Sequence, residues 1–173
     1  MPAPLSPLTR TLIVMGVSGC GKTLIGTRVA EHLGGIFEDA DDFHSEANKD
    51  KMRAGIPLTD EDRWPWYAAL RARIDEMREK TRLYVLACSA LKAIYREKLR
   101  ADDSDTDIAF VHLKGPREVI HARMAKRKGH YMPTTLLDSQ FAILEETPDL
   151  WNIPLDQEPD QMIAQILKKF EQV

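Results

Sequence analysis

Only two cysteines, Cys20 and Cys88, occur in the 173 residues, too few for a disulfide framework and without the spacing of a zinc site. No apolar run approaches the ~20 residues that cross a bilayer. The opening Met1-Pro-Ala-Pro-Leu-Ser-Pro-Leu8 lacks the basic and apolar regions of a signal peptide. An excess of positive charge is missing too. Lys and Arg number 24 against 27 Asp and Glu, a formal net charge of −3, the wrong balance for a general nucleic-acid binder. Repeats, low-complexity tracts and an interdomain linker are absent. Residues 11–173 are therefore expected to form one domain behind a flexible lead-in, residues 1–10. These exclusions describe a soluble protein of the reducing cytoplasm that binds neither nucleic acid nor membrane.

What the chain does have is Gly16-Val-Ser-Gly-Cys-Gly-Lys-Thr23, directly after the apolar run Thr11-Leu-Ile-Val-Met15. It fills every required position of G-x-x-x-x-G-K-[ST], and Leu24, Ile25 and Val29 begin a helical period behind it. Gly16, Gly19 and Gly21 let the backbone curl so that the N–H groups of Val17, Ser18 and Cys20 point at one anion. The helix that follows presents its positive end to the same anion. Lys22 then reaches the outer phosphates and the Thr23 hydroxyl is a magnesium ligand. This strand–loop–helix setting reads as a nucleoside triphosphate site.

Strands and helices alternate along the rest of the chain, the pattern of an α/β protein with a parallel sheet covered on both faces. Strands are expected at Leu12–Met15, Ile36–Asp39, Leu83–Cys88, Ile108–Leu113 and Trp151–Leu155. Helices are expected at Lys22–Leu33, Asn48–Ala54 and from about Asp62, where Trp66, Leu70, Ile74 and Met77 recur at three- and four-residue steps. Further helices are expected over Ala90–Arg100, from Pro116 into Lys126-Arg-Lys-Gly-His130, around Leu136–Leu144, and from near Asp160.

In open α/β sheets, ligands bind beyond the carboxyl ends of the strands. The second strand ends in Asp39-Ala-Asp41, two carboxylates that face the same side if extended. One could hold hydrated magnesium while the other accepts an alcohol proton; a solvated acidic turn is the ordinary alternative. Cys88-Ser-Ala-Leu-Lys92 offers N–H groups, a hydroxyl and a cation, although by itself it reads as a strand-to-helix cap. Arg123 and Arg127-Lys-Gly-His130 follow the fourth strand, and mobile cations there suit a lid, approximately residues 124–135, over a transferring phosphate. A GTPase is excluded: Asn48-Lys-Asp-Lys51 breaks the guanine motif at its fourth position. What remains is a small-molecule kinase.

Taken together, the segments resemble the gluconate kinase family of small P-loop kinases, relatives of shikimate and nucleoside monophosphate kinases. The resemblance runs from about Thr11 to the C-terminus. It is carried by the phosphate loop, by Asp39-Ala-Asp41 with His44 and Asn48, and by Lys51-Met-Arg-Ala-Gly-Ile-Pro-Leu-Thr-Asp60-Glu-Asp-Arg63-Trp-Pro-Trp66. Cys88-Ser-Ala-Leu-Lys92 with Tyr95-Arg96, and Lys128-Gly-His130 with Ser139-Gln-Phe141, complete it. It departs at Ser45, where the family usually has proline, and at Cys20 and Thr23, where Ser is frequent.

The resemblance implies ATP- and Mg²⁺-dependent phosphorylation of the 6-hydroxyl of D-gluconate. It also implies a five-stranded parallel sheet of order 2-3-1-4-5 with a lid, and a homodimer. At the matched positions, Arg63 and Lys92 are the leading partners for a carboxylate or hydroxyls. His44, Lys51, His130 and Gln140 are further polyol contacts, with ordinary packing roles equally open. Asp41 is assigned to the 6-hydroxyl and its proton, and Asp39 to magnesium with Thr23, an order that spacing does not decide. Lys22 and Arg127 would stabilise charge on the transferring phosphoryl, with Arg123 nearer the ATP. Adenine contacts are expected near Pro154–Glu158. Trp64, Trp66 and Trp151 read as packing residues, and His32, His112 and His121 have no metal-ligand spacing. The rivals are a kinase for another small acid such as shikimate, and a non-catalytic nucleotide-binding regulator.

Overall fold

In the computed structural model, residues 11–102, 107–126 and 134–171 are described. Five strands, β1 (Thr11–Met15), β2 (Ile36–Asp39), β3 (Tyr84–Ala87), β4 (Ile108–Lys114) and β5 (Trp151–Pro154), form one parallel sheet in the order β2-β3-β1-β4-β5. Among the described residues the helices are α1 (Lys22–Leu33), α2 (Glu46–Arg53), α3 (Asp60–Lys80), α4 (Ala93–Leu99), α5 (Arg117–Ala125), α6 (Thr134–Ile143) and α7 (Pro159–Glu171). A 3-10 turn spans Ala40–Phe43.

The central strands are apolar on both faces because both are covered. Leu12, Val14, Val85, Val111 and Leu113 face one core with Ile25 and Val29 of α1 and Ile163, Ile166 and Phe170 of α7. Ile13, Met15, Tyr84, Leu86 and Phe110 face the other, against Trp66, Leu70, Ile74 and Met77 of α3 and Tyr95 and Leu99 of α4. The alternation of neighbouring strand residues between two cores follows from the two-residue period of the strand. Thr11 pairs with both Tyr84 and Ile108, so β1 lies between β3 and β4 and the chain order reverses beside it. Ligands settle at such a reversal, and the loops after β1, β2 and β3 all open there.

The structure moves several expected element ends. α2 begins at Glu46, before Asn48, because the Ser45 side chain caps it by accepting from Asn48 N at 3.2 Å. Serine thus supplies a cap that proline cannot. α3 begins at Asp60 because Thr59 and Asp62 form a reciprocal capping box, a signal independent of apolar periodicity. α4 begins at Ala93, three residues later than expected. Ala90 holds a left-handed φ of 46°, and Leu91 O and Ala90 O are taken by the guanidinium of Arg96. The proposed lid is described only at its edges: residues 127–133, with Arg127, Lys128 and His130, lie outside the described residues, as do residues 1–10.

Candidate active site

A cavity of about 450 Å³ lies at the carboxyl ends of β1, β2 and β3. The phosphate loop forms one wall. Gly19 and Gly21 adopt left-handed φ values of 83° and 96°, and Gly21 is the residue from which α1 starts. A Cβ on Gly19 would also lie 2.5 Å from Met124 Cγ, so α5 packs directly against the loop. Lys22 Nζ lies over the loop, donating to Gly16 O at 3.0 Å and Val17 O at 3.1 Å. Ser18, Gly19, Gly21, Lys22 and Thr23 line the cavity, whereas the Cys20 side chain is buried beneath.

The acidic pair stands opposite. Thr23 Oγ1 donates to Asp39 Oδ2 at 3.1 Å, and Asp39 Oδ1 accepts from Asp41 N at 2.9 Å. Asp39 therefore ties the loop to the 3-10 turn and presents, with Thr23, a pair of hard oxygen ligands. That pair fits magnesium, which keeps most of its waters and takes few ligands from the protein. Asp41 has neither tie. Two-thirds of its side chain is exposed, on the cavity lining. Loss of bulk solvent, then the charge of Asp39, raises its pKa above the usual carboxylate value despite Lys22. The structure thus separates two residues that spacing left equivalent.

His44 closes the floor of the site. Its ring stacks on Trp66 with centroids 3.9 Å apart, and Trp66 Nε1 donates to Ala40 O at 2.8 Å, which fixes the turn carrying Asp41. Asn48 Nδ2 lies 3.3 Å from His44 Nδ1 and donates to Asp62 O at 2.9 Å. Burial, then the positive charges of Arg63 and Lys49, lowers the imidazole pKa to about 4, so the ring is neutral at neutral pH. With Asn48 donating to Nδ1, the ring proton sits on Nε2, 3.9 Å from Asp41 Oδ1.

The far half of the cavity is built on α3 and α4. Arg63 Nη1 donates to Tyr95 Oη at 2.9 Å, Tyr95 Oη donates to Asp60 Oδ1, and Asp60 also pairs with Arg63 at 3.5 Å and Lys92 at 3.4 Å. Arg63 and Tyr95 line the cavity, while Lys92 does not. The hydrogen bond from Tyr95 is the leading reason that the Asp60 carboxyl lies below its ordinary value. Met52, Ile56, Pro57 and Leu58 add an apolar wall, with Ile56 half exposed.

Three other expected contacts are directed elsewhere. Lys51 Nζ pairs with Asp62 at 2.8 Å, behind the capping box and away from the cavity lining. Arg123 Nη2 donates to Leu155 O at 2.7 Å, joining α5 to the segment after β5 where adenine contacts were expected. Gln140 does line the cavity, but its amide is bonded to Ser18 rather than directed at the acceptor half. The reading of Trp66 as a packing residue holds, since it is 4% exposed, with the addition that it supports His44. His112 is likewise a core residue, 3.1 Å from Asn152 Oδ1.

Sequence reasoning missed Asp60, Tyr95 and Arg96 as individual contributors. Asp60 and Tyr95 are 35 positions apart, and no local spacing announces that their side chains meet. Arg96, 1% exposed, binds Ala90 O, Leu91 O, Glu145 O and Thr147 Oγ1, and so shapes the wall that carries Ser89 and Leu91.

Comparison with known proteins gives concordant results. A family model described as an AAA domain matches residues 12–147. A protein of Xenopus tropicalis named probable gluconokinase is 47% identical over 149 residues, 78% of this chain and 77% of the relative. A gluconokinase of Gluconobacter oxydans is 41% identical over 165 residues, 94% of this chain and 92% of the relative. The crystal structure of a gluconokinase from Sinorhizobium meliloti superposes with a TM-score of 0.85 at 37% identity, covering 96% of this chain and 94% of that one.

Proposed function

Since the chain belongs to the gluconokinase family of small P-loop kinases, we propose that it transfers the γ-phosphoryl group of ATP to the 6-hydroxyl of D-gluconate, giving 6-phosphogluconate and ADP. The observation that carries this reading is the division of one cavity. A phosphate loop with Lys22 and the Thr23–Asp39 pair forms one side. An unencumbered carboxylate, Asp41, stands between it and an arginine-bearing far wall.

Each residue then has a physical task. The loop N–H groups and the α1 N-terminus hold the phosphates. Lys22 places a cation against the outer phosphates, where charge grows in the transition state. Thr23 and Asp39 would hold Mg²⁺, which supplies charge neutralisation on the phosphate oxygens. Asp41 orients the 6-hydroxyl and accepts its proton, with His44 Nε2 3.9 Å from the carboxylate. Arg63, aimed by Tyr95 and Asp60, receives the carboxylate end of the acceptor, because a guanidinium forks onto a carboxylate in two hydrogen bonds. Lys92 supports that cluster through Asp60. Arg127, from the lid reading, supplies a further cation to the transferring group, and His130 a polyol contact. The same reading makes the protein a cytoplasmic homodimer.

Coupled measurement of ADP release tests it, with Mg²⁺ and ATP present and D-gluconate compared with shikimate, glucose and no acceptor. Turnover that requires gluconate is the expected result. Turnover with shikimate alone would move the substrate while keeping the phosphoryl-transfer site. Acceptor-independent binding of ATP without turnover would overturn the catalytic reading. Sedimentation at micromolar concentration checks the dimer.

A further inference from the structure

Gln140 belongs to α6, yet both ends of its amide are engaged on the phosphate loop. Ser18 N–H donates to Gln140 Oε1 at 2.7 Å, and Gln140 Nε2 donates to Ser18 Oγ at 3.1 Å, across 122 positions of sequence. Ser18 N–H is one of the loop donors available to phosphate. A carbonyl oxygen already occupies it, and one hydrogen cannot serve that oxygen and a phosphoryl oxygen at full strength. The loop has little freedom to resolve the conflict. Gly19, next to Ser18, is held at φ 83° against Met124. The adjustment therefore falls on Gln140.

α6 is itself held in place: Arg117 of α5 pairs with Asp138 in its first half. Just beyond its C-terminal end, Glu145 N donates to Leu91 O at 2.8 Å. The Glu145 carboxylate accepts from Ala93 N at 3.2 Å, and Arg96 holds Glu145 O at 2.8 Å. Ser139 and Ile143, on the same helix, line the cavity with Gln140. Val17 O, directly before Ser18, accepts from Lys22 Nζ at 3.1 Å, so the contested donor lies beside the cation that reaches the outer phosphates.

We propose that Gln140 reads the nucleotide's terminal phosphate: its amide holds Ser18 N–H while that phosphate is absent and yields the donor when a triphosphate binds. The inference rests on the reading that the loop binds ATP, and it adds a specificity role for a residue outside the loop. A diphosphate leaves the Gln140–Ser18 pair in place, whereas a triphosphate has to break it. The phosphorylation state of the nucleotide is thereby passed to α6 and to the cavity wall it carries.

Calorimetric titration of the full chain with ADP, and with the non-hydrolysable β,γ-imido analogue of ATP, tests this with Mg²⁺ present. Q140A removes the competing oxygen, and its affinity for the analogue should rise about fivefold, the factor that one freed hydrogen bond supplies. Q140E keeps the size and the acceptor but repels phosphate, and its affinity for the analogue should fall about tenfold. ADP affinity should stay within about twofold in both, which a merely structural role for Gln140 would not produce. Unchanged analogue affinity in both variants overturns the proposal, as does weaker analogue binding by Q140A, which would make Gln140 a phosphate ligand. A parallel loss for both nucleotides also overturns it, by marking general damage. Failure of the unaltered chain to bind ADP would instead overturn the nucleotide reading itself.

Discussion

Replacing Arg96 by methionine probes how far the cavity depends on a buried charge that touches no substrate. The guanidinium makes four hydrogen bonds, to Ala90 O at 2.7 Å, Leu91 O at 3.2 Å, Glu145 O at 2.8 Å and Thr147 Oγ1 at 3.2 Å. Leu91 O keeps a partner in Glu145 N, and Thr147 Oγ1 keeps one in Asp149. Ala90 O, which is buried, and Glu145 O, which is part-buried, lose theirs, costing about 1–3 kcal/mol for the first and less for the second. Burial works the other way, since it already lowers the Arg96 pKa and methionine needs no desolvation of charge. The net loss is about 3 kcal/mol, which for a domain of this size lowers Tm by about 10 °C. The damage also has a direction. Ala90, at its left-handed φ of 46°, is released, and Ser89 and Leu91 on the cavity wall move with it. KM for gluconate should therefore rise about tenfold and KM for ATP by less, because the phosphate loop meets this wall through Gly16 N and Ser89 O at 3.3 Å but is braced by α5 as well. Differential scanning calorimetry and steady-state kinetics at both substrates read the two effects. A Tm within about 2 °C of the unaltered chain, or equal rises in both KM values, would refute the clasp role.

Four further outcomes follow from the site. Asp41→Asn keeps the side chain's size and removes the proton acceptor, so kcat should fall about 10²- to 10⁴-fold with Tm unchanged; loss of less than tenfold in the ADP-release assay would reassign the base. Lys22→Ala removes the cation beside the outer phosphates and should lower kcat about 10²-fold or more without unfolding the chain, as circular dichroism would verify. His44 is buried neutral with a pKa of about 4 against 6.5, so the unfolded chain takes up a proton that the folded chain refuses as pH falls from about 6.5 towards 4. Stability should drop by about 3 kcal/mol over that window, and urea titrations of His44→Gln should show that slope removed. Catalysis should also decline on acidification as the raised carboxyl of Asp41 gains its proton, at a pH above that of an ordinary aspartate.

The fold was legible because its strongest signals are local. The phosphate loop occupies consecutive residues, and strands such as Tyr84–Ala87 are apolar at every position because both their faces are covered. Helix starts were less legible where capping overrides periodicity. Thr59 and Asp62 begin α3 two residues before the apolar period suggests, and Arg96 delays α4 by removing Ala90 and Leu91 from its first turn. The loop, Asp39 and Asp41 could be nominated from motif and strand position. The destination of each cation could not. Whether Lys51 meets a ligand or Asp62 depends on how α2 packs beside the start of α3, and no spacing rule carries that information.

That distribution of charge bears on what the cavity accepts. Among the described residues the sequence offers Lys22, Lys51, Arg63, Lys92 and Arg123 near the site, yet only Lys22 and Arg63 line it. Lys51 is matched by Asp62, Lys92 by Asp60, and Arg123 by a backbone carbonyl. Lys22 on the phosphate loop and Arg63 on the far wall are thus the cavity-lining cations among these five, with Asp39 and Asp41 in the same lining. An acceptor with a carboxylate at one end and a hydroxyl at the other matches this order of charges. A six-carbon acid with carboxylates at both ends would set its second one against Asp41, where like charges repel. The cavity of about 450 Å³ is wide enough for either acid. Selection between them must then come from the sign of the charge beside Asp41, because volume offers no grounds for it.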